Sequence, residues 1–281
     1  MSGLNRSTPI VSGMSATRQR ARMRRLRATL RLTCLALIGW LIEGNCALSQ
    51  GDYEYRWPAF TCESEFRLND PDALGRELTS VRSEVEDATG LELPGTPVGL
   101  TLFSTRRRYV TFVSLETADA RRQRGVFISR NGEPHVYSFQ QAKLESTLRH
   151  ESTHALLHSA LPYVPLWLDE GLASYFEVTA SRQGSRDPKL DKLRWSLRIG
   201  WRPELATLES RSHAAELDAG DYRHAWGWVH FLLNESEESR SLLRRYLQNI
   251  ANGEPPQAMS AFLAVEMPDA RERCIRFLSR R

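Results

Sequence analysis

A chain of 281 residues with 41% hydrophobic residues is long enough to bury a core as one or two domains, and its composition excludes collagen-like, repetitive and low-complexity architectures. A net charge of +4 would suggest nucleic-acid binding if it were spread over the chain. It is not: residues 1–49 hold eight arginines and one acidic residue, Glu43, about +7, which leaves about −3 for residues 50–281.

That N-terminal segment has the parts of a secretory signal: an Arg-rich start, an apolar run Leu32–Ile42, and small residues at Ala47-Leu48-Ser49 before Gln50. A start at Met23 would give the segment an ordinary length. The competing reading is an uncleaved membrane tether, although residues 32–42 are interrupted by Glu43 and fall short of the roughly 20 residues of a comfortable span. Either way the chain is expected to be exported, to a periplasmic, cell-surface or extracellular location. Beyond the segment only Cys62 and Cys274 remain, which reads as a disulfide closing a long loop or as two separate buried thiols.

Residues 50–62 are poorly patterned, and a short strand is expected at Glu63–Leu68. Asn69-Asp70-Pro71 then caps a helix to about Thr89, with Leu74, Leu78, Val81 and Val85 on one stripe and Gly90 at its end. Val98–Phe103 reads as a buried strand and Ser104–Leu115 as a short basic helix or loop. Gly125–Ser129, Asn131-Gly132 and His135–Phe139 form a hairpin signal. From Gln141 the pattern turns helical, at about 141–161, 166–178, 221–234, 236–252, 256–265 and 268–280. Ser181–Gly220 is polar and irregular, with Asp187-Pro188 and Arg202-Pro203 as breaks. The expected fold is α+β: a mixed part over 50–140 with a β-sheet, then a mainly helical part over 141–281.

His150-Glu151-Ser152-Thr153-His154 is an HExxH motif within a helical pattern whose Leu144, Leu148, Ala155, Leu156 and Leu157 help bury one side. Four residues advance a helix by about 6 Å and slightly more than one turn, so both imidazoles leave the same face and can share one tetrahedral ion. Zinc suits such a site, and Glu151 stands beside the ion, where it can take a proton from an activated water. Taken alone the motif arises by chance in roughly one chain in a hundred of this size. It is followed, after a break at Leu161-Pro162, by a second helix starting in Trp167-Leu168-Asp169-Glu170-Gly171-Leu172-Ala173-Ser174-Tyr175-Phe176-Glu177.

HESTH followed by WLDEGLASYFE resembles the gluzincin metallopeptidases of the peptidase MA clan, over about residues 140–178. The W-L-x-E-G-L-A-x-Y-x-E pattern is similar to their aminopeptidase-type and peptidase-MA-like branches, including bacterial domains of unknown function. The resemblance implies a zincin-like fold, zinc on His150, His154 and Glu170, Glu151 as general base, and a peptide or protein substrate. Asp169 competes with Glu170 as the third ligand but occupies the family's variable polar position. Fifteen residues separate His154 from Glu170 where the aminopeptidases have eighteen, so substrate specificity does not carry over. Gly171 would let the two site helices pack closely, and Glu177 would orient His150 or His154 or else be a solvated carboxylate.

His158 is too far along the helix to share an ion with both His150 and His154, and reads as packing or as a partner of a ligand. The resembling families often supply an oxyanion donor from a later helix, which points to Tyr222, with His224 as runner-up. Trp226, Val229, Leu232 and Leu233 are expected in the core. The expectation is thus an exported zinc metallopeptidase with catalytic Glu151 and Tyr222. The alternative is a noncatalytic exported binding or scaffold protein on the same fold. Arg106-Arg107-Arg108 and Arg121-Arg122-Gln123-Arg124 are read as solvated loops or contacts to an acidic partner, so no nucleic-acid partner is expected.

Overall fold

The computed structural model describes residues 52–117, 123–179, 187–255 and 257–280. Residues 51–281 form one compact unit; residues 1–50 belong to a second, and the signal or anchor reading lies there, outside the described residues. Among the described residues no helix is long and apolar enough to cross a membrane.

The first half of the unit carries a five-stranded sheet. Its strands are β1 (Tyr53–Trp57), β2 (Phe60–Ser64), β3 (Val98–Phe103), β4 (Gly125–Arg130) and β5 (Glu133–Phe139), in the order β1-β2-β3-β5-β4. The central pairs β2–β3 and β3–β5 are parallel; the outer pairs β1–β2 and β4–β5 are antiparallel hairpins. Helix α1 (Pro71–Thr89) makes the crossover from β2 to β3, and the short α2 (Arg106–Val113) follows β3. The sequence expectation of a strand at 63–68 is corrected: residues 50–62 hold most of the β1–β2 hairpin, and 65–70 are loop. The pattern hid because β1 is an edge strand whose residues are exposed or half-buried, so its alternation is weak.

Helix α1 forms where its caps demand. Asp70 accepts from Ala73 N–H, Pro71 occupies the first turn, and Gly90 closes the end in the left-handed region at φ 70°. Its Leu78, Val81 and Val85 join Phe60, Leu100, Leu102 and Val136 of the sheet in one core. The opposite sheet face is covered near β5 by Tyr109 and Val113 of α2, which pack with Phe103, Tyr137 and Phe139.

Eight further α-helices follow among the described residues: α3 (Leu144–Ala160), α4 (Leu166–Phe176), α5 (Pro188–Arg198), α6 (Leu205–Glu209), α7 (Ala219–Asn234), α8 (Glu237–Ala251), α9 (Met259–Glu266) and α10 (Ala270–Ser279). Leu148, Ala155, Leu156, Trp226, Val229, Leu232 and Leu233 lie in the same core as the sheet's inner face, which therefore runs unbroken across residue 140. Helix α5 corrects the expectation that 181–220 is irregular. Asp187-Pro188 starts this helix: Asp187 caps it by accepting from Lys189 N–H, and a proline at the first position sacrifices no helical hydrogen bond. Cys62 and Cys274 are both free and buried, so the disulfide does not form; burial pushes the Cys62 thiol up to about 12 and raises Cys274 as well.

Arg149 ties three of these elements together. Its side chain is 1% exposed and its guanidinium reaches Glu77 at 3.0 Å and Glu84 at 2.9 Å on α1, and the carbonyls of Phe176 and Val178 at the end of α4 and just beyond it, both at 2.9 Å. Removing one partner of a buried, fully engaged charge leaves the others uncompensated. Arg149→Met is expected to lower unfolding free energy by about 3–5 kcal/mol in a urea titration, whereas an isolated surface ion pair such as Arg276 with Asp269 contributes about 0–1 kcal/mol.

Candidate metal centre

Helix α3 carries little amphipathic pattern because it is surrounded. It runs between the sheet and the other helices, and Thr147, Leu148, Arg149 and every residue from Ser152 to Leu157 are buried. Buried Thr153 satisfies its hydroxyl on the Arg149 carbonyl one turn back, at 2.9 Å. After the break at Leu161-Pro162, α4 begins at Leu166 and is buried along most of its length. Gly171 allows it to sit deep: a Cβ there would stand 2.8 Å from Val229 Cγ2 and 2.9 Å from the Ala225 carbonyl oxygen. The close partner is therefore α7, not α3 as the sequence suggested. Glu170 already faces α3, and the next residue along a helix is turned by about 100°.

The α3–α4 pair brings His150, His154 and Glu170 together. Their nearest ligand atoms are separated by 3.2 Å (His150 Nε2 to His154 Nε2), 3.6 Å (His150 Nε2 to Glu170 Oε2) and 3.8 Å (His154 Nε2 to Glu170 Oε2). A tetrahedral ion with bonds of about 2.0–2.1 Å requires its ligands to stand about 3.3–3.4 Å apart. The three donors match that cradle.

A carboxylate stands behind each imidazole, and behind His154 it fixes which nitrogen is free. Asp169 Oδ1 accepts from His154 Nδ1 at 2.7 Å, so the proton sits on Nδ1 and the Nε2 lone pair points inward. Behind His150, Glu177 Oε2 lies 3.5 Å from Nδ1, and Lys189 on α5 fixes Glu177 through a 2.6 Å contact to its other oxygen. The two Nε2 atoms and the Glu170 carboxylate face one point, where a proton shared between the imidazoles or a divalent cation can sit, and this His, His, carboxylate donor set is one that a divalent metal takes.

The electrostatics agree. Burial opposes a charge on His150, but Glu170, Glu177 and Glu151 outweigh it and raise its pKa to about 10. Burial likewise opposes His154, and Asp169 raises it. Asp169 and Glu177 are penalised by burial yet held below the usual carboxylate range, Asp169 by His154 and His158, Glu177 at about 2 by His150 and Lys189. This field favours positive charge where the three donors converge. Glu151 behaves differently: burial raises its carboxyl, with His150 and His154 offsetting part of the rise, and its Oε2 accepts from the Phe127 N–H of β4 at 3.1 Å.

Asp169, considered from sequence only as a rival ligand, is the residue that orients the imidazole of His154. Its second oxygen binds His158 Nε2 at 2.9 Å, and the His158 ring lies 5.4 Å from Phe127. The signal was its position, directly before Glu170 on the helix that returns to the histidines. Lys189 carried no such signal, since it belongs to the helix the sequence concealed. His224 is stacked on Trp201 at 4.1 Å between ring centres, and His230 on Trp226 at 4.8 Å. Tyr222 stands half-buried in the first turn of α7, which begins with a capping box between Asp218 and Asp221.

A family described as a protein of unknown function (DUF1570) matches residues 145–257. Among curated proteins none matches the chain. Among solved structures it is similar to an M1 zinc metallopeptidase from Deinococcus radiodurans at 16% identity, and to a mutant of that enzyme at 15%. Each alignment has a TM-score of 0.47 and covers 82% of this chain and 51% of the other, so the chain spans about half the length of these structures.

Loss of an orienting carboxylate typically weakens a metal site about 10–100-fold. Asp169→Asn is therefore expected to lower divalent-cation affinity by that factor in a competition titration with a chromogenic chelator, and Glu170→Ala to lower it further. Unchanged affinity in both variants would mean that His150, His154 and Glu170 do not hold the ion.

Proposed function

We propose that the chain is an exported zinc metallopeptidase in the gluzincin manner, with His150, His154 and Glu170 holding the zinc, Glu151 as general base and Tyr222 as oxyanion donor. The observation that carries this reading is the convergence of two imidazole nitrogens and one carboxylate at tetrahedral spacing, beside a second carboxylate, Glu151, that is not part of the cradle. A purely structural zinc takes four protein ligands, whereas three plus an open position is the arrangement of a catalytic one.

When bound, zinc supplies a Lewis acid that polarises the scissile carbonyl and lowers the pKa of a water at the open position. Glu151, raised by burial, takes a proton from the attacking water and returns it to the leaving amine. Asp169 keeps the His154 imidazole presenting Nε2, and the Glu177 charge stands on the far side of the His150 ring. Tyr222 lies on the same face of α7 as Ala225 and Val229, which pack against Gly171 next to Glu170; this supports its role in donating to the oxygen that becomes negative. Apart from the Phe127 amide, which Glu151 takes, the outer edge of β4 supplies main-chain groups on which an extended peptide can be laid. Export rests on the Arg-rich, apolar and small-residue order of residues 1–49.

The test is metal analysis beside hydrolysis of a mixed peptide library. Wild type and Glu151→Gln should both hold about one zinc per chain, with turnover in Glu151→Gln reduced about 10²–10⁴-fold, the usual contribution of a general base. Tyr222→Phe should keep its zinc and lose about 10²–10³-fold in kcat. Stoichiometric zinc with no cleavage by wild type would favour a binding protein on this fold.

A further inference from the structure

Glu151 sits between α3 and β4, and two features of β4 act on it. The first is the 3.1 Å hydrogen bond from Phe127 N–H to Oε2. In an antiparallel pair, residues alternate between facing their partner and facing away. Among the described strands β4 pairs only with β5, with Phe127 opposite Val136. The Phe127 amide is thus one of the outward groups of an edge strand, which ordinarily faces solvent, and here it is turned to a half-buried carboxylate.

The second feature is Gly125. A Cβ at this position would lie 2.7 Å from Thr147 Cγ2, 2.9 Å from Glu151 Cγ and 3.3 Å from the Tyr137 carbonyl oxygen. The backbone does not itself call for glycine, since Gly125 is not among the residues with positive φ. Space alone requires it: the strand must run within touching distance of Thr147 and Glu151, which are neighbours one turn apart on α3.

We propose that Gly125 is a positioning residue for Glu151. The absent side chain lets β4 approach until the Phe127 amide reaches the carboxylate, which fixes the rotamer of the group that moves the proton. The kinetic part of this inference rests on the peptidase reading above; the contact itself does not.

The experiment follows amide hydrogen exchange of the full-length protein by NMR, reading Phe127 and, as an internal control for an intact strand, Ile128, which pairs with His135. Phe127 should be protected in wild type and in Thr147→Ala. It should exchange at least about tenfold faster in Gly125→Ala and in Glu151→Ala, with Ile128 unchanged. Adding Thr147→Ala to Gly125→Ala should not restore protection, because the encroachment on Glu151 Cγ remains. Unprotected Phe127 in wild type, or full restoration in the double variant, would overturn the proposal.

On a peptide that wild type cleaves, Gly125→Ala should lower kcat about tenfold with KM and zinc content held, and should have no further effect in a Glu151→Gln background. A Gly125→Ala variant whose kcat is unchanged would also overturn it. Absence of cleavage by wild type, with the exchange pattern as expected, would count against the peptidase reading and leave the contact standing.

Discussion

The geometry of the candidate metal centre depends on the buried guanidinium of Arg149. It is next to the first histidine of the HExxH motif, and its donors are spent on two carboxylates of α1 and two carbonyls at and just past the end of α4. Its contacts therefore join the helix that bears the histidines to the end of the helix that bears Glu170, with α1 as a brace. A lysine would not substitute, since a single ammonium cannot reach four acceptors arranged on three sides. The site is a consequence of how this cation is satisfied, and Glu177, one residue past the anchored Phe176, is carried into place beside His150 by the same attachment.

Around the three donors, charge is distributed in an ordered way. Each imidazole has a carboxylate behind it, and each of those carboxylates has a second partner: His158 for Asp169, Lys189 for Glu177. The second partner helps keep the carboxylate ionised against the penalty of burial; Asp169 thereby continues to accept from His154 Nδ1, while Glu177 stands 3.5 Å from His150 Nδ1 as a charge contact. Glu151 is instead raised, because the main-chain amide it faces and the two histidines beside it offset only part of its burial. Burial thus acts on Asp169, Glu177 and Glu151 to different ends, according to what each one touches.

Much of this was legible in the sequence. The HExxH spacing, the break at Leu161-Pro162 and the returning WLDEGLASYFE helix are local signals, and the structure brings His150, His154 and Glu170 within one cradle as they imply. Helix α1 was readable because Asp70, Pro71 and Gly90 mark its ends chemically. What was not legible depends on distant partners. Strand β1 has no strong alternation because it is at the sheet's edge; α5 was hidden because Asp-Pro serves equally as a break and as a helix start. Arg149 looked like one more basic residue, and only the fold supplies Glu77 and Glu84, 72 and 65 residues away. Gly171 was read toward the wrong neighbour for the same reason: sequence says that a close approach is allowed, not by which helix.

The two-residue turn at Asn131-Gly132 has a reach beyond its hairpin. Both residues have positive φ, 53° and 83°, the combination that joins two twisted antiparallel strands with the fewest residues and sets their register. That register decides that the amide of Phe127, and not of Val126 or Ile128, is directed away from β5 toward Glu151. One residue more in the turn would slip the strand by a step and offer the carboxylate a position whose donor already belongs to the sheet. Turn length, usually the most freely varied quantity in a surface hairpin, is here coupled to the hydrogen bonding of a carboxylate on the neighbouring helix.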